Sequence, residues 1–355
     1  MSPRHVVQFA LVSLMLLLLG AGCGGVVTAS RPDLDDDDTG SGDDDDTGSG
    51  DDDDTGSGDD DDAAVTPPAD PSEAGLFAFT VSSTQAGGMD ATVYVPQGSG
   101  PFPVIVFTHG FQLSPSDYVS YGEQLASWGY VAVLPQFPGS FLSSPTHTEL
   151  RNSVVSLLDW LDGSPAALGA AADPSQLGLA GHSLGGKIAL LVASSDPRPD
   201  AVFAIDPVDA APPNGGSPQD YPSVAPELMS EITIPAVFLG ELQNAVSGGL
   251  GPACAPEGEN FQSYYSAATS PSMELEVLGA SHMSFVDNPA CLACLLCPAG
   301  TDDPLVSKSL TREFMTAFFE SKLRGELWPD AWLGGPELDE LQSSGFIAAQ
   351  LKNGF

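Results

Sequence analysis

Residues 177–186 read LGLAGHSLGG, and this stretch decides the fold of the chain. An apolar strand runs to Ala180 and an apolar helix begins at Leu184, so the motif GHSLGG occupies the turn between them. A serine on such a turn is held in a strained backbone with its hydroxyl exposed, and the flanking glycines avoid collisions with neighbouring elements. The stretch therefore predicts an α/β fold in which Ser183 is the candidate nucleophile.

Apolar segments alternate with helix-like segments on both sides of this motif. Strands are predicted at 103–108, 130–134, 177–180, 201–205, 236–240 and 275–278, and helices at 114–128, 147–161, 184–194 and 310–323. Continuous runs of Val, Ile and Leu indicate strands that are covered on both faces. We therefore expect one α/β domain over residues 76–355, with a mostly parallel central sheet and helices on both faces. The alternating segments 77–82 and 91–95 predict an antiparallel hairpin at its edge.

The candidate general base follows from the positions of the histidines. The chain has five of them, at positions 5, 109, 147, 182 and 282. In a fold built on a GxSxG turn, the catalytic residues follow in the order serine, acid, histidine. Only His282 lies after Ser183, and it directly follows a predicted strand, so His282 is the candidate base.

Two carboxylates compete for the role of the acid. Asp206 is the first residue after one apolar strand, and Glu241 follows the next strand along the chain. A carboxylate at the carboxyl end of either strand would lie beside the serine. We favour Asp206, keep Glu241 as the alternative, and interpret Asp209 as an ordinary loop residue.

Backbone amides at two loops are the candidate oxyanion donors. In this architecture one donor follows the first parallel strand and the other follows the nucleophile, which points to the N–H groups of Phe111 and Leu184. His109 is interpreted as structural. The side chain of Phe111 is a candidate for the acyl pocket, with weaker candidates that are equally consistent with the core: Phe137, Phe141 and Phe285.

Four stretches resemble the chlorophyllase family of serine esterases. They are residues 104–110, GHSLGGK at 181–187, IDPVD at 205–209 and GPACAPEGENF at 251–261, the last being the most specific. The resemblance implies an α/β-hydrolase fold and hydrolysis of carboxylic esters by a triad. It assigns Ser183 as nucleophile, Asp206 as acid and His282 as base, and this chemistry requires no metal and no organic cofactor.

One position departs from the resemblance. Plant chlorophyllases usually carry Arg where this chain has Leu184, so the expected substrate is a small-molecule or lipid-like neutral ester rather than chlorophyll in particular. The alternatives are a polyester or lipid ester hydrolase of the same fold, acyl transfer to an alcohol, and a catalytically inactive tethered binding module. A fluorophosphonate that labels Ser183 would separate the enzymes from the binding module.

The N-terminus predicts export. Residues 1–22 contain a short basic start, an apolar stretch and a small-residue end before Cys23, and they resemble a bacterial lipoprotein signal peptide. Lipidation of Cys23 would anchor the protein to a bacterial membrane, on its periplasmic or cell-surface side. An ordinary cleaved signal peptide, with Cys23 unmodified, is the alternative.

Residues 23–75 predict a disordered acidic tether. The octad DDDDTGSG repeats there, and its four aspartate blocks supply 16 of the 48 acidic residues in a chain of net charge -38. Such a segment lacks the apolar residues that would offset the entropy cost of ordering it. The overall charge excludes a basic nucleic-acid-binding protein, and the acidity of the domain itself favours neutral over anionic esters.

Four cysteines follow the tether, at Cys254, Cys291, Cys294 and Cys297. Their close spacing is compatible with a zinc site, but in an exported protein two disulfides are favoured. The three pairings stay open. Because these cysteines flank His282 in the sequence, we expect a bridge in this region to hold the base loop.

Overall fold

The computed structural model describes residues 70–139, 144–163, 167–168, 172–212, 215–247, 253–288 and 296–355. All of them belong to one compact unit. The predicted signal peptide, Cys23 and the tether up to residue 69 lie outside the described residues, as do Phe141, Cys291 and Cys294.

The described strands form one sheet in the order β1-β2-β4-β3-β5-β6-β7-β8-β9. Their bounds are β1 Phe79–Ala86, β2 Met89–Pro96, β3 Phe102–Thr108, β4 Val131–Pro135, β5 Ala172–His182, β6 Ala201–Ile205, β7 Ala236–Gly240, β8 Ser272–Val277 and β9 Ile347–Lys352. The strands from β4 to β8 in this order pair in parallel. β1, β2 and β9 pair antiparallel at the two edges, so the sheet is mostly parallel, as predicted.

Seven α-helices connect and cover the described strands. They are α1 Val119–Ser127, α2 His147–Asp162, α3 Leu184–Ala193, α4 Phe261–Ala267, α5 Pro304–Arg324, α6 Asp330–Gly334 and α7 Pro336–Ser343. None of these helices combines the length and the apolar character needed to cross a membrane.

Apolar side chains pack in two clusters, one on each face of the sheet. Along β3, Val104 and Val106 belong to the cluster with α2, α3 and α4, whereas Ile105 and Phe107 belong to the cluster with α1 and α5. Successive residues of a strand point to opposite faces, so both faces of β3 are buried. This is why the strand consists of a continuous apolar run, and it confirms the predicted α/β architecture with helices on both faces.

Helix α2 begins with a cap that two residues of its own sequence form. Thr146 accepts a hydrogen bond from the amide of Glu149 at 3.1 Å, and the Glu149 side chain accepts from the Thr146 amide at 2.8 Å. This reciprocal capping box satisfies two amides that a helix N-terminus leaves without partners. It fixes the first turn of α2, which carries His147 and Leu150 to the cavity described below.

Residues 70–75, at the end of the segment that the sequence predicts as a tether, contact the domain. The Gln124 side chain donates to the carbonyl of Pro71 at 2.8 Å, and the Trp128 indole donates to the carbonyl of Glu73 at 3.0 Å. These bonds hold the segment against the end of α1.

The parallel topology gathers the candidate residues at one edge of the sheet. Gly110 follows β3, Ser183 follows β5, Asp206 follows β6, Glu241 follows β7 and His282 follows β8. Parallel strands all end at the same edge, and ligands bind there in open α/β sheets. The fold therefore brings together residues that lie up to 172 positions apart.

Candidate active site

The turn that carries Ser183 is strained in the way the GxSxG motif predicts. Ser183 has φ 55° and ψ −121°, a left-handed backbone conformation that is uncommon for residues other than glycine. A Cβ on Gly181 would lie 2.3 Å from Oγ1 of Thr108, and a Cβ on Gly185 would lie 2.1 Å from the Thr108 carbonyl oxygen. Glycine is required on both sides because α3 and β3 approach this turn so closely.

The structure brings Ser183, His282 and Asp206 into one hydrogen-bonded row. Nε2 of His282 lies 2.9 Å from the Ser183 hydroxyl, and Nδ1 of His282 lies 2.6 Å from Oδ2 of Asp206. The carboxylate accepts the Nδ1 proton, which leaves Nε2 to accept a proton from the serine. Asp206 is fully buried and has φ 41°, so the turn after β6 is also held in a strained conformation.

Glu241 lies beside this row and does not join it. Its Oε2 accepts the amide proton of Asn244 at 2.8 Å, and its Oε1 has no hydrogen-bond partner among the described residues. Burial, together with the negative charge of Asp206, raises the pKa of Glu241 to about 9. The side chain is therefore a neutral acid near pH 7, whereas an acid that stabilises an imidazolium must be ionised.

Among the described residues, one set of His, Cys, Asp or Glu side chains is grouped closely enough to resemble a metal site. It consists of Asp206, Glu241 and His282. One donor atom from each lies within 4.8 Å of the others. Oδ2 of Asp206 accepts the Nδ1 proton of His282, and all three residues are buried. We therefore interpret Asp206 and His282 as members of the hydrogen-bonded row, with Glu241 beside them.

The residues predicted to supply the two oxyanion donors lie beside the candidate nucleophile. Phe111 and Leu184 line the same cavity as Ser183. Leu184 is the first residue of α3, so its amide precedes the hydrogen-bond ladder of the helix and has no acceptor within it. The start of α3 also carries the partial positive charge of a helix N-terminus, which favours an anion at this position. The Phe111 side chain is half exposed.

A second row of hydrogen bonds ties three loops of the site together. The amide of Gly110 donates to the Tyr118 hydroxyl at 3.1 Å, and this hydroxyl lies 2.7 Å from Nδ1 of His182. Nε2 of His182 lies 2.9 Å from the carbonyl oxygen of His282, which can only accept. Burial holds the pKa of His182 well below its usual range, so the ring is neutral, donates from Nε2 and accepts at Nδ1.

Sequence reasoning missed this role of His182 and Tyr118. It used His182 only as a variable position of the GxSxG motif, and Tyr118 only as one residue of the helix predicted at 114–128. A signal for this role was present in the sequence. His182 ends β5 and Tyr118 lies in the segment after β3, so two side chains that can form hydrogen bonds come to the same edge of the sheet. His109 contacts the backbone at both ring nitrogens: Nδ1 donates to the Gly110 carbonyl at 2.8 Å, and Nε2 accepts from the Phe137 amide at 2.9 Å.

A cavity of about 520 Å³ opens beside Ser183. Its walls are mainly apolar, and the residues that surround it beyond the oxyanion loops include Phe137, Leu150, Val208 and Tyr221. His147 also lines the cavity, and burial, with the nearby Lys187, lowers its pKa to about 3, so it adds no charge near pH 7. Of the other predicted pocket residues, Phe285 is fully buried and packs against His182.

The family model described as Chlorophyllase matches residues 77–330. The chain belongs to the chlorophyllase family. The predicted family and the α/β-hydrolase fold are thereby confirmed.

Several chlorophyllases are similar to this chain over part of its length. Chlorophyllase-2 of Arabidopsis thaliana is 27% identical over 206 residues, which cover 55% of this chain and 64% of that protein. Chlorophyllase-1, chloroplastic, of Citrus sinensis is 29% identical over 206 residues, which cover 56% of this chain and 60% of that protein. The chain thus spans less than two thirds of the length of these two relatives.

A buried ion pair joins the nucleophile helix of this chlorophyllase-family domain to the loop of the candidate acid. Nζ of Lys187 lies 3.0 Å from Oδ1 of Asp209 and donates to the Asp209 carbonyl at 2.7 Å. The Asp209 carboxylate also accepts from the amides of Val224 and Ala225 and from the Ser223 hydroxyl. Asp209 is therefore not the ordinary loop residue that the sequence suggested, because it neutralises a fully buried lysine.

One of the predicted disulfides lies within the described residues. Cys254 is bonded to Cys297, and this bridge spans 43 positions of the chain. The segment that it encloses contains His282. Cys291 and Cys294, predicted to form the second bridge or part of it, lie outside the described residues.

Proposed function

We propose that this chlorophyllase-family protein is a serine esterase that cleaves carboxylic esters. The observation that carries the proposal is the row from Ser183 through His282 to Asp206, which ends beside an apolar cavity. A nucleophile, a base and an orienting carboxylate within hydrogen-bond distance are the parts that acyl transfer requires.

In the first half of the proposed reaction the serine becomes acylated. The Ser183 oxygen attacks the ester carbonyl carbon while its proton passes to Nε2 of His282. The negative charge of Asp206 stabilises the imidazolium that forms. The carbonyl oxygen becomes an oxyanion and accepts hydrogen bonds from the amides of Phe111 and Leu184, an effect worth on the order of 10²- to 10³-fold for one such donor.

The tetrahedral intermediate then expels the alcohol. The carbon–oxygen bond to the alcohol breaks, and the proton on Nε2 of His282 passes to the departing oxygen, so that a neutral alcohol leaves. Water enters, gives a proton to His282 and attacks the acyl carbon. Collapse of the second intermediate returns the proton to Ser183 and releases the carboxylic acid.

The proposed substrate is a neutral ester with an apolar acyl group. Apolar side chains dominate the cavity walls, and the two imidazoles that line it, on His109 and His147, are neutral near pH 7 because burial lowers their pKa values to about 4 and about 3. An anionic ester would also be repelled by the acidic domain, because residues 64–355 hold 31 acidic and 8 basic side chains. The relatives described above are chlorophyllases, and chlorophyll is one ester to be tested among others. We further propose that the protein is exported and tethered to a bacterial membrane through Cys23.

The test is turnover of short p-nitrophenyl esters by the purified protein and by Ser183→Ala. We expect the variant to lose the activity, while Ser116→Ala, which removes an exposed serine hydroxyl of the segment between β3 and α1, keeps it. A fluorophosphonate probe should label the protein once, and mass spectrometry should locate the label on Ser183. Equal rates for the protein and Ser183→Ala, with no labelling, would refute an esterase and favour a binding module.

A further inference from the structure

Asn244 is a buried residue of the loop after β7 that the sequence did not single out. It is fully buried, and its backbone is held at both ends. Its amide donates to Glu241, as described above, and its carbonyl accepts from the amides of Cys254 at 3.1 Å and Ala255 at 3.2 Å. These bonds fix the backbone from which the Asn244 side chain projects.

That side chain holds the residue proposed as the base. Oδ1 of Asn244 accepts the amide proton of His282 at 2.8 Å, and Nδ2 donates to the carbonyl of Pro298 at 3.1 Å. The carbonyl of His282 accepts from His182. Both backbone polar groups of His282 are thus bonded to buried side chains, which together set the plane from which the imidazole projects.

The disulfide joins the two segments that bind Asn244. Cys254 donates its amide to the Asn244 carbonyl, and Cys297 directly precedes Pro298, which accepts from the Asn244 side chain. Breaking the bridge would remove the covalent link between these two segments. The hydrogen bonds to Asn244 would then have to hold the segments in place.

We propose that Asn244 is a positioning residue for His282, and that the Cys254–Cys297 bridge keeps Asn244 in place. The inference rests on the esterase proposed above. It adds that the activity depends on a bond between an asparagine side chain and the backbone of the base, and through it on the oxidation state of two cysteines outside the hydrogen-bonded row. A displacement of about 1 Å at a reacting group lowers the rate by on the order of 10²-fold.

The first experiment compares Asn244→Leu with Asn260→Leu in the full-length protein. Leucine has nearly the same shape as asparagine, and at position 244 it removes both side-chain bonds while the backbone bonds stay. Asn260 is the matched control, because it is also buried but caps α4 through a bond to the Gln262 amide. We expect Asn244→Leu to lower kcat by about 10- to 100-fold with KM unchanged, and Asn260→Leu to lower stability without this loss of kcat.

The second experiment tests the bridge by a double-variant cycle. Cys254→Ser with Cys297→Ser should lower kcat with unchanged far-UV circular dichroism. Adding Asn244→Leu to that background should cost less than it does in the oxidised protein, because the bridge and Asn244 act through the same bond. A reductant should reproduce the loss in the oxidised protein, and any further effect of the reductant on the serine variant would come from other cysteines.

The outcomes separate this inference from the proposed function. If the unaltered protein neither turns over esters nor reacts with a fluorophosphonate, the esterase itself is refuted. If it does both and Asn244→Leu matches it in kcat, Asn244 is not a positioning residue. Additive losses in the cycle would remove the link to the bridge. Should Asn244→Leu fail to fold, Asn244→Ala takes its place: an unchanged kcat in that variant overturns the positioning role, and an unchanged kcat in the cysteine variants overturns the link to the bridge.

Discussion

Replacing Glu241 by glutamine tests the neutral state that the structure assigns to this side chain. Glutamine has the same shape and can still accept the bond from the Asn244 amide, but it has no titrating proton. The folded protein raises the pKa of Glu241 to about 9 through burial and the charge of Asp206. In the unfolded chain the same carboxyl titrates near its ordinary value of about 4.3.

The sign of the effect follows from the protons bound in each state. Between these two pKa values the folded protein keeps a proton on Glu241 that the unfolded chain has lost, so the free energy of unfolding falls as the pH rises. The slope for one such group is about 1.4 kcal/mol per pH unit, or about 3 kcal/mol between pH 6 and pH 8. This contribution is fully present below about pH 4 and is lost by about pH 9.

Urea unfolding at pH 6, 7 and 8 measures the effect. We expect Glu241→Gln to gain stability relative to the unaltered protein by up to about 3 kcal/mol over this interval, because other titrating groups contribute equally to both and cancel. Glu227→Gln, at an exposed position, should show no such gain. Parallel stability curves for Glu241→Gln and the unaltered protein would refute the reasoning, since Glu241 would then be ionised in the fold.

Three further predictions concern the acid, the buried ion pair and the cavity. Asp206→Asn should lower kcat by on the order of 10⁴-fold and Glu241→Gln by less than about tenfold, measured with a p-nitrophenyl ester; a loss confined to Glu241→Gln would reassign the acid. Lys187→Met should cost about 3–5 kcal/mol in urea unfolding because it leaves Asp209 buried without its partner, and an unchanged midpoint would contradict this. Leu150→Ala should widen the cavity and raise the ratio of kcat/KM for octanoyl over butyryl esters by about tenfold, whereas an unchanged ratio would mean that α2 does not bound the acyl site.

The arrangement of the row could be predicted from the sequence because local and topological signals agree. Ser183 lies in a motif whose glycines are required by close contacts, and His282 is the one histidine after it. Asp206 was favoured as the first residue after an apolar strand. These inferences needed the order of the strands along the chain and no knowledge of distances.

The charges and the partners of the neighbouring side chains could not be predicted in the same way. The charge of Glu241 depends on burial by segments distant in sequence, and the partner of Lys187 lies 22 positions away in a loop that looked ordinary. β9 was missed because its sequence, IAAQLK, is short and partly polar, and it forms only as the antiparallel neighbour of β8. The helix α5 begins six residues before the predicted start, although Asp303 and Pro304 are an ordinary cap and first residue.

The hydrogen bonds that run from Gly110 through Tyr118 and His182 to His282 have a consequence for changing this protein by design. Of these four residues, only Gly110 also lines the cavity. Residues of α2 and residues after β6 also line the cavity, and they take no part in that row. In the proposed esterase, substitutions on α2 would therefore change the selectivity for the ester and leave the hydrogen bonds around His282 unchanged, so substrate recognition and proton transfer can be altered separately.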